Sequence, residues 1–102
     1  MKFREVNYDL VPEHMREGTR RYVEQGIITG RFLTAVMSND LMGAYMAADG
    51  INLQSMLKWA DWLYNEAPAA CRGSKVKVND WSVAGGLKGM EDRRVASNDD
   101  GS

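Results

Sequence analysis

Few side chains in this 102-residue chain are suited to nucleophile–base chemistry near neutral pH, since it holds one histidine, His14, and one cysteine, Cys71. A thiol nucleophile at Cys71 needs a base, and His14 is the single candidate, with Asp40 or Asp61 to orient it. Arg72 beside Cys71 would favour the thiolate, but nothing in the spacing makes these groups converge. A lone cysteine excludes an internal disulfide framework and a multi-cysteine zinc site, and a lone histidine excludes a histidine-rich metal centre. Gly85-Gly86-Leu87-Lys88-Gly89 has the glycines of a phosphate loop without the preceding strand or the closing Gly-Lys-Ser/Thr. The Thr29-Gly30 start of a helix, beside Arg31, offers backbone amides to an anion, as every helix start does. The reading is a non-enzymatic protein with no catalytic set, no metal and no cofactor.

The elements that must position these residues follow from the apolar spacing. Val6, Tyr8 and Leu10 alternate, which predicts a short extended N-terminal arm. Pro12 suits the first position of a helix that runs to Gln25 and stops at Gly26. Thr29 is placed to cap a second helix over 30–48, with Leu33, Val36, Met37, Leu41, Ala44, Tyr45 and Ala48 as its buried stripe. Asn52 is placed to cap a third over 52–67, with the stripe Leu53, Met56, Leu57, Ala60, Leu63 and Ala67, ended by Pro68. The short Asp49-Gly50-Ile51 link makes these two an antiparallel helical hairpin. Ser74 can cap a fourth element to Ala84, closed by Gly85-Gly86. Its Lys75-Val76-Lys77-Val78 alternates like a strand, but Val78 and Trp81, three apart, favour a helix. The expected architecture is all-α: a three-to-four-helix domain over 1–87 and a disordered tail over 88–102.

Thirteen Lys and Arg against 14 Asp and Glu argue against a histone-like nucleic-acid coat and a polybasic membrane anchor. Glu5 and Asp9 occupy the place of a signal-peptide apolar core, and the run Leu41 to Ala48 falls far short of the roughly 20 residues of a bilayer span. A cytoplasmic protein without a membrane partner is expected. Within 32–67, Lys58 alone faces Asp40, Asp49, Asp61 and Glu66, so the hairpin is acidic. Trp59 and Trp62 add apolar surface to a helix whose aliphatic stripe already has a face, which suits core or interface packing better than base stacking. Arg16 and Arg20, four apart, form either a phosphate-facing patch or a solvated face paired with Glu13, Glu17 and Glu24; the interleaved acids favour the second. Arg31, Asn39 and Asp40 suggest a polar structural lock at the margin of the second helix.

The runs Phe32-Leu33-Thr34-Ala35-Val36, Asn39-Asp40-Leu41 and Trp62-Leu63-Tyr64-Asn65-Glu66-Ala67-Pro68, followed by Cys71 and Gly73-Ser74, resemble a family of small helical proteins encoded by tailed phages and prophages. The match runs from Val11 to Gly86, about three quarters of the chain. The resemblance implies a setting, the cytoplasm of an infected host cell, rather than a mechanism. The expectation is a phage accessory protein that binds a host or phage protein and self-associates through the hairpin. Trp59, Trp62 and Tyr45 are the candidate contact surface, with Arg16 and Arg20 at its rim. The alternative is nucleic-acid or nucleotide binding through helix one and the Arg72–Lys77 basic segment.

Overall fold

The N-terminal arm is pinned by one indole. Trp62 Nε1 donates to the Asn7 carbonyl at 2.7 Å, and Tyr8 stacks on the Trp62 ring at 5.8 Å between centroids. In this computed structural model residues 5–92 are described, and every regular element among them is helical. α1 (Glu13–Gln25) follows Pro12, which stands just outside the helix rather than in its first turn, and ends at Gly26 with φ of 77°. α2 (Arg31–Met37), α3 (Leu41–Ala47), α4 (Gly50–Gln54) and α5 (Met56–Asn65) come next. A short 3₁₀ turn (Ala69–Cys71) leads to α6 (Lys75–Ala84), and residues 86–92 form a last helix, α7. The segment 75–84 is therefore helix, and Ser74 Oγ caps it by accepting from Lys77 N–H.

Four expectations are corrected. The helix over 30–48 is broken into α2 and α3 because Asn39 takes a left-handed conformation at φ of 62°, which asparagine tolerates better than most residues. Asn39 N–H donates to Val36 O and Asp40 N–H to Ala35 O, the paired bonds that close a Schellman helix end. Asp40 then caps α3 by accepting from Gly43 N–H at 2.9 Å. The hairpin of two long helices gives way to shorter pieces, with α2 packed most extensively on α3. The third helix starts earlier than expected, since Asp49 rather than Asn52 is its cap, accepting from Asn52 N–H at 2.7 Å. It is interrupted at Ser55. Thr29 caps nothing: the residue before α2 is Gly30, with no side-chain cap bond. Of the expected tail, 88–92 is helical and the remainder lies outside the described residues.

One core serves most of these elements. Tyr22 and Val23 of α1, Leu33 and Met37 of α2, Trp59 and Trp62 of α5, Cys71, and Val78 and Trp81 of α6 are buried in a single cluster. Phe32 meets Trp59 edge-on at 5.4 Å, and Trp59 meets Trp62 edge-on at 6.1 Å. Each buried indole N–H has an acceptor, as burial of a polar group requires. Trp59 donates to Asn52 Oδ1, and Trp81 to the carbonyls of Tyr22 and Val23 in the last turn of α1. Gly26 and Gly86 meet at the same corner. A Cβ on Gly86, whose φ is 68°, would lie 2.6 Å from Gln25 N and Gly26 N, so only glycine fits that approach.

Candidate functional site

Burial turns the third helix so that its tryptophans, rather than its leucines, sit deepest. Trp59 and Trp62 are 1% and 0% exposed, so neither belongs to a contact surface; they are the centre of the core. The expected aliphatic stripe is divided: Leu53, Leu57 and Ala60 are exposed, Leu57 at 83%, whereas Ala67 is buried and Met56 and Leu63 pack against the core. Two rings with satisfied indole N–H groups bury more area than the leucines on the opposite arc, and area decides which arc turns inward.

α3 is the second exposed apolar element. It reads Leu41-Met42-Gly43-Ala44-Tyr45-Met46-Ala47, carries no charge, and buries only Ala44. Leu41 with Tyr45 and Met42 with Met46 are pairs four apart, which sets two adjacent stripes on the outward arc. All four side chains are exposed, from Tyr45 at 59% to Met46 at 81%. Between α3 and α5 runs a groove of about 310 Å³, lined chiefly by Val36, Leu41, Ala44, Met56, Leu57 and Leu63. The face is thus an apolar ridge beside an apolar groove, with Asn39 and Asp40 at one end.

The arginines expected at the rim of a contact surface hold the N-terminal arm instead. Arg16 Nε donates to Val11 O at 2.9 Å and its terminal nitrogen to Asp9 O at 3.1 Å. Arg20 lies over the Tyr8 ring at 5.1 Å and pairs with Glu24, which also accepts from Tyr8 Oη. Arg21 pairs with Glu17. Arg31 and Asp40 do line one cleft, of about 660 Å³, together with Thr34, Ser38 and Lys75. No hydrogen bond or ion pair joins Arg31, Asn39 and Asp40 to each other among the described residues, so the expected lock is replaced by the Asn39 turn and the Asp40 cap. The Ser38 hydroxyl and Arg72 Nε are buried without hydrogen-bond partners near this end of α2, where Gly73 N–H donates to Met37 O.

The two groups with nucleophile–base potential stand in different surroundings. Cys71 is fully buried, its carbonyl accepts from Tyr22 Oη at 2.6 Å, and burial pushes its thiol up to about 12 against the smaller opposing pull of Arg72. His14 is on the surface, with Nε2 2.9 Å from Asp49 Oδ2. The Asn52 amide, and then His14, hold the Asp49 carboxyl below its usual range. Among the described residues no group of three or more His, Cys, Asp or Glu is placed to hold a metal ion, and no helix is long and apolar enough to cross a membrane. The exposed apolar residues that sequence reasoning left out of the candidate surface are Leu41, Met42, Met46 and Leu57; the charge-free run from Leu41 to Ala48 is the signal for the first three. Comparison of the chain with known protein families, with curated proteins and with solved structures gives no match.

Proposed function

We propose that this chain acts by binding another protein, not by catalysis, and that it works as a phage accessory protein in the cytoplasm of an infected cell. The binding element is the apolar face formed by α3 and the outward stripe of α5. The observation that carries the reading is α3 itself: seven residues with no charge and four large apolar side chains in solvent. Such a patch on a soluble chain marks a contact site. The burial of Cys71 and the outward His14–Asp49 pair support the non-catalytic part of the reading. The phage setting rests on the sequence resemblance. Nucleic-acid binding draws less support, because Arg16, Arg20 and Arg21 are already engaged within the chain.

The test is a comparative capture. Tagged wild-type chain and a Met42→Glu/Tyr45→Glu variant are passed over host lysate, retained proteins are identified, and the binary complex is rebuilt from purified components by calorimetry. A partner bound by the wild type and lost by the variant, with equal helical content, is the expected result. Equal binding by both would place the contact elsewhere and remove the reading.

A further inference from the structure

The occupant of the α3–α5 face can be argued further, on the reading of that face as a protein contact. We infer that a second copy of this chain covers it, in a two-fold dimer in which α3 of each copy sits in the groove of the other.

The first argument is area. Leu41, Met42, Tyr45, Met46 and Leu57 leave between 59% and 83% of their surfaces uncovered. At roughly 200 Å² for a large side chain, they present about 700 Å² together. The largest apolar patch on an ordinary monomer is about 300–600 Å², whereas a standard stable interface takes roughly 800 Å² from each partner. The face is therefore large for a free surface and close to half of a dimer interface.

The second argument is shape. A two-fold interface uses the same patch on both copies, so the patch must contain both a projection and its receptor. Here they lie side by side. Met42 and Tyr45 project from α3, and the groove beside them is lined by Leu41, Leu57 and Leu63.

The third argument is charge. Residues 32–67 carry Lys58 against Asp40, Asp49, Asp61 and Glu66, so two copies approaching through most of this unit would set like charges together. α3 is the uncharged stretch within it, and apolar side chains meeting there carry no such penalty. The chain's own C-terminal residues do not suit the groove: Arg93-Arg94-Val95-Ala96-Ser97-Asn98-Asp99-Asp100-Gly101-Ser102 offers only Val95 and Ala96 as apolar side chains.

Sedimentation equilibrium of the full untagged chain, from about 1 to 200 µM, tests this. The expected result is a species of twice 11.4 kDa that dissociates on dilution. Met42→Glu and Tyr45→Glu, each at an exposed position, are expected to weaken the dimer about thirtyfold or more. Circular dichroism of each variant checks that the fold is intact, and Leu57→Glu, on α5, serves as an independent third probe if an α3 variant fails to fold. A wild-type chain that stays monomeric throughout overturns the inference, as does a dimer insensitive to all three substitutions. A monomer whose captured host partner is nonetheless lost on the same substitutions assigns the face to that protein; this overturns the inference and leaves the proposed function standing.

Discussion

Replacing Trp62 by Ala separates a core role from a contact role by size alone. Trp62 is fully covered, stacked on Tyr8, edge-on to Trp59, and hydrogen-bonded to the Asn7 carbonyl. Truncating a buried aromatic to Ala costs about 3–5 kcal/mol, from lost transfer energy and the cavity left behind. Domains of this size have a total stability of about 5–15 kcal/mol, so the variant keeps a marginal fold at best. Trp62→Phe retains most ring contact and loses the hydrogen bond, which together cost about 1–2 kcal/mol. Leu57→Ala, at a site 83% exposed, is expected to stay within about 0.5 kcal/mol of wild type. Urea titrations followed by far-ultraviolet circular dichroism, with a common m value, give the three differences. The order expected is Leu57→Ala, then Trp62→Phe, then Trp62→Ala. A Trp62→Ala loss under about 1 kcal/mol would refute the reasoning and return that ring to the contact surface.

Gly86→Ala combines left-handed strain, about 1–2 kcal/mol, with a Cβ 2.6 Å from the backbone of α1. The variant should melt at least 10 °C lower by calorimetry, at roughly 4–8 °C per kcal/mol, and a shift of only a few degrees would show that the corner yields. Cys71, buried with its thiol raised to about 12, should react with an aromatic disulfide reagent at pH 8 at least about a thousandfold more slowly in the native chain than in urea; comparable rates would place the thiol in solvent. The Asp49 carboxyl is held below its usual 3.8 by the Asn52 amide and His14. A depressed carboxyl contributes stability that is complete above its unfolded value and is lost as pH falls through the folded one. Asp49→Asn should therefore lose stability at pH 6 and converge towards wild type only as pH falls below 3.8 and through the lowered folded value, read as urea midpoints across that range. A constant gap across that range would mean that the carboxyl is not what matters.

Where a residue's local chemistry decides its structure, the sequence was readable. Gly26 ends α1, Ser74 caps α6, and Gly85 closes it as expected, because each acts within its own turn. The break at Asn39 was hidden by the apolar spacing from Leu33 through Val36, Met37, Leu41 and Ala44, which continues across it as though one helix ran on. Asn39 followed by Asp40 holds the contrary signal, a residue tolerant of left-handed backbone followed by a cap. The orientation of α5 was less legible. Its aliphatic and aromatic arcs are both apolar, and periodicity cannot rank them. The tie is broken by distant partners, Asn7 for Trp62 and Phe32 for Trp59, that no local pattern announces. For the same reason Asn52 looked like a cap when its side chain is the acceptor for an indole. Arg16 and Arg20 were expected at the rim of a contact surface because the arm that they hold folds back from outside their helix.

The corner where Gly26 meets Gly86 bears on how the chain matures during synthesis. α1 is made well before α6, yet the carbonyls at its end accept from Trp81, and its last turn abuts Gly86. Tyr22 likewise waits for the Cys71 carbonyl. Until residues 81–86 have emerged, the end of α1 has no lasting partner, and contacts so far apart in sequence close slowly. A ribosome stalled before Trp81 would carry a chain with its aromatic core still open. Native structure at this corner should thus wait until residue 86 has left the ribosome, and up to that point the nascent chain is a client for chaperones.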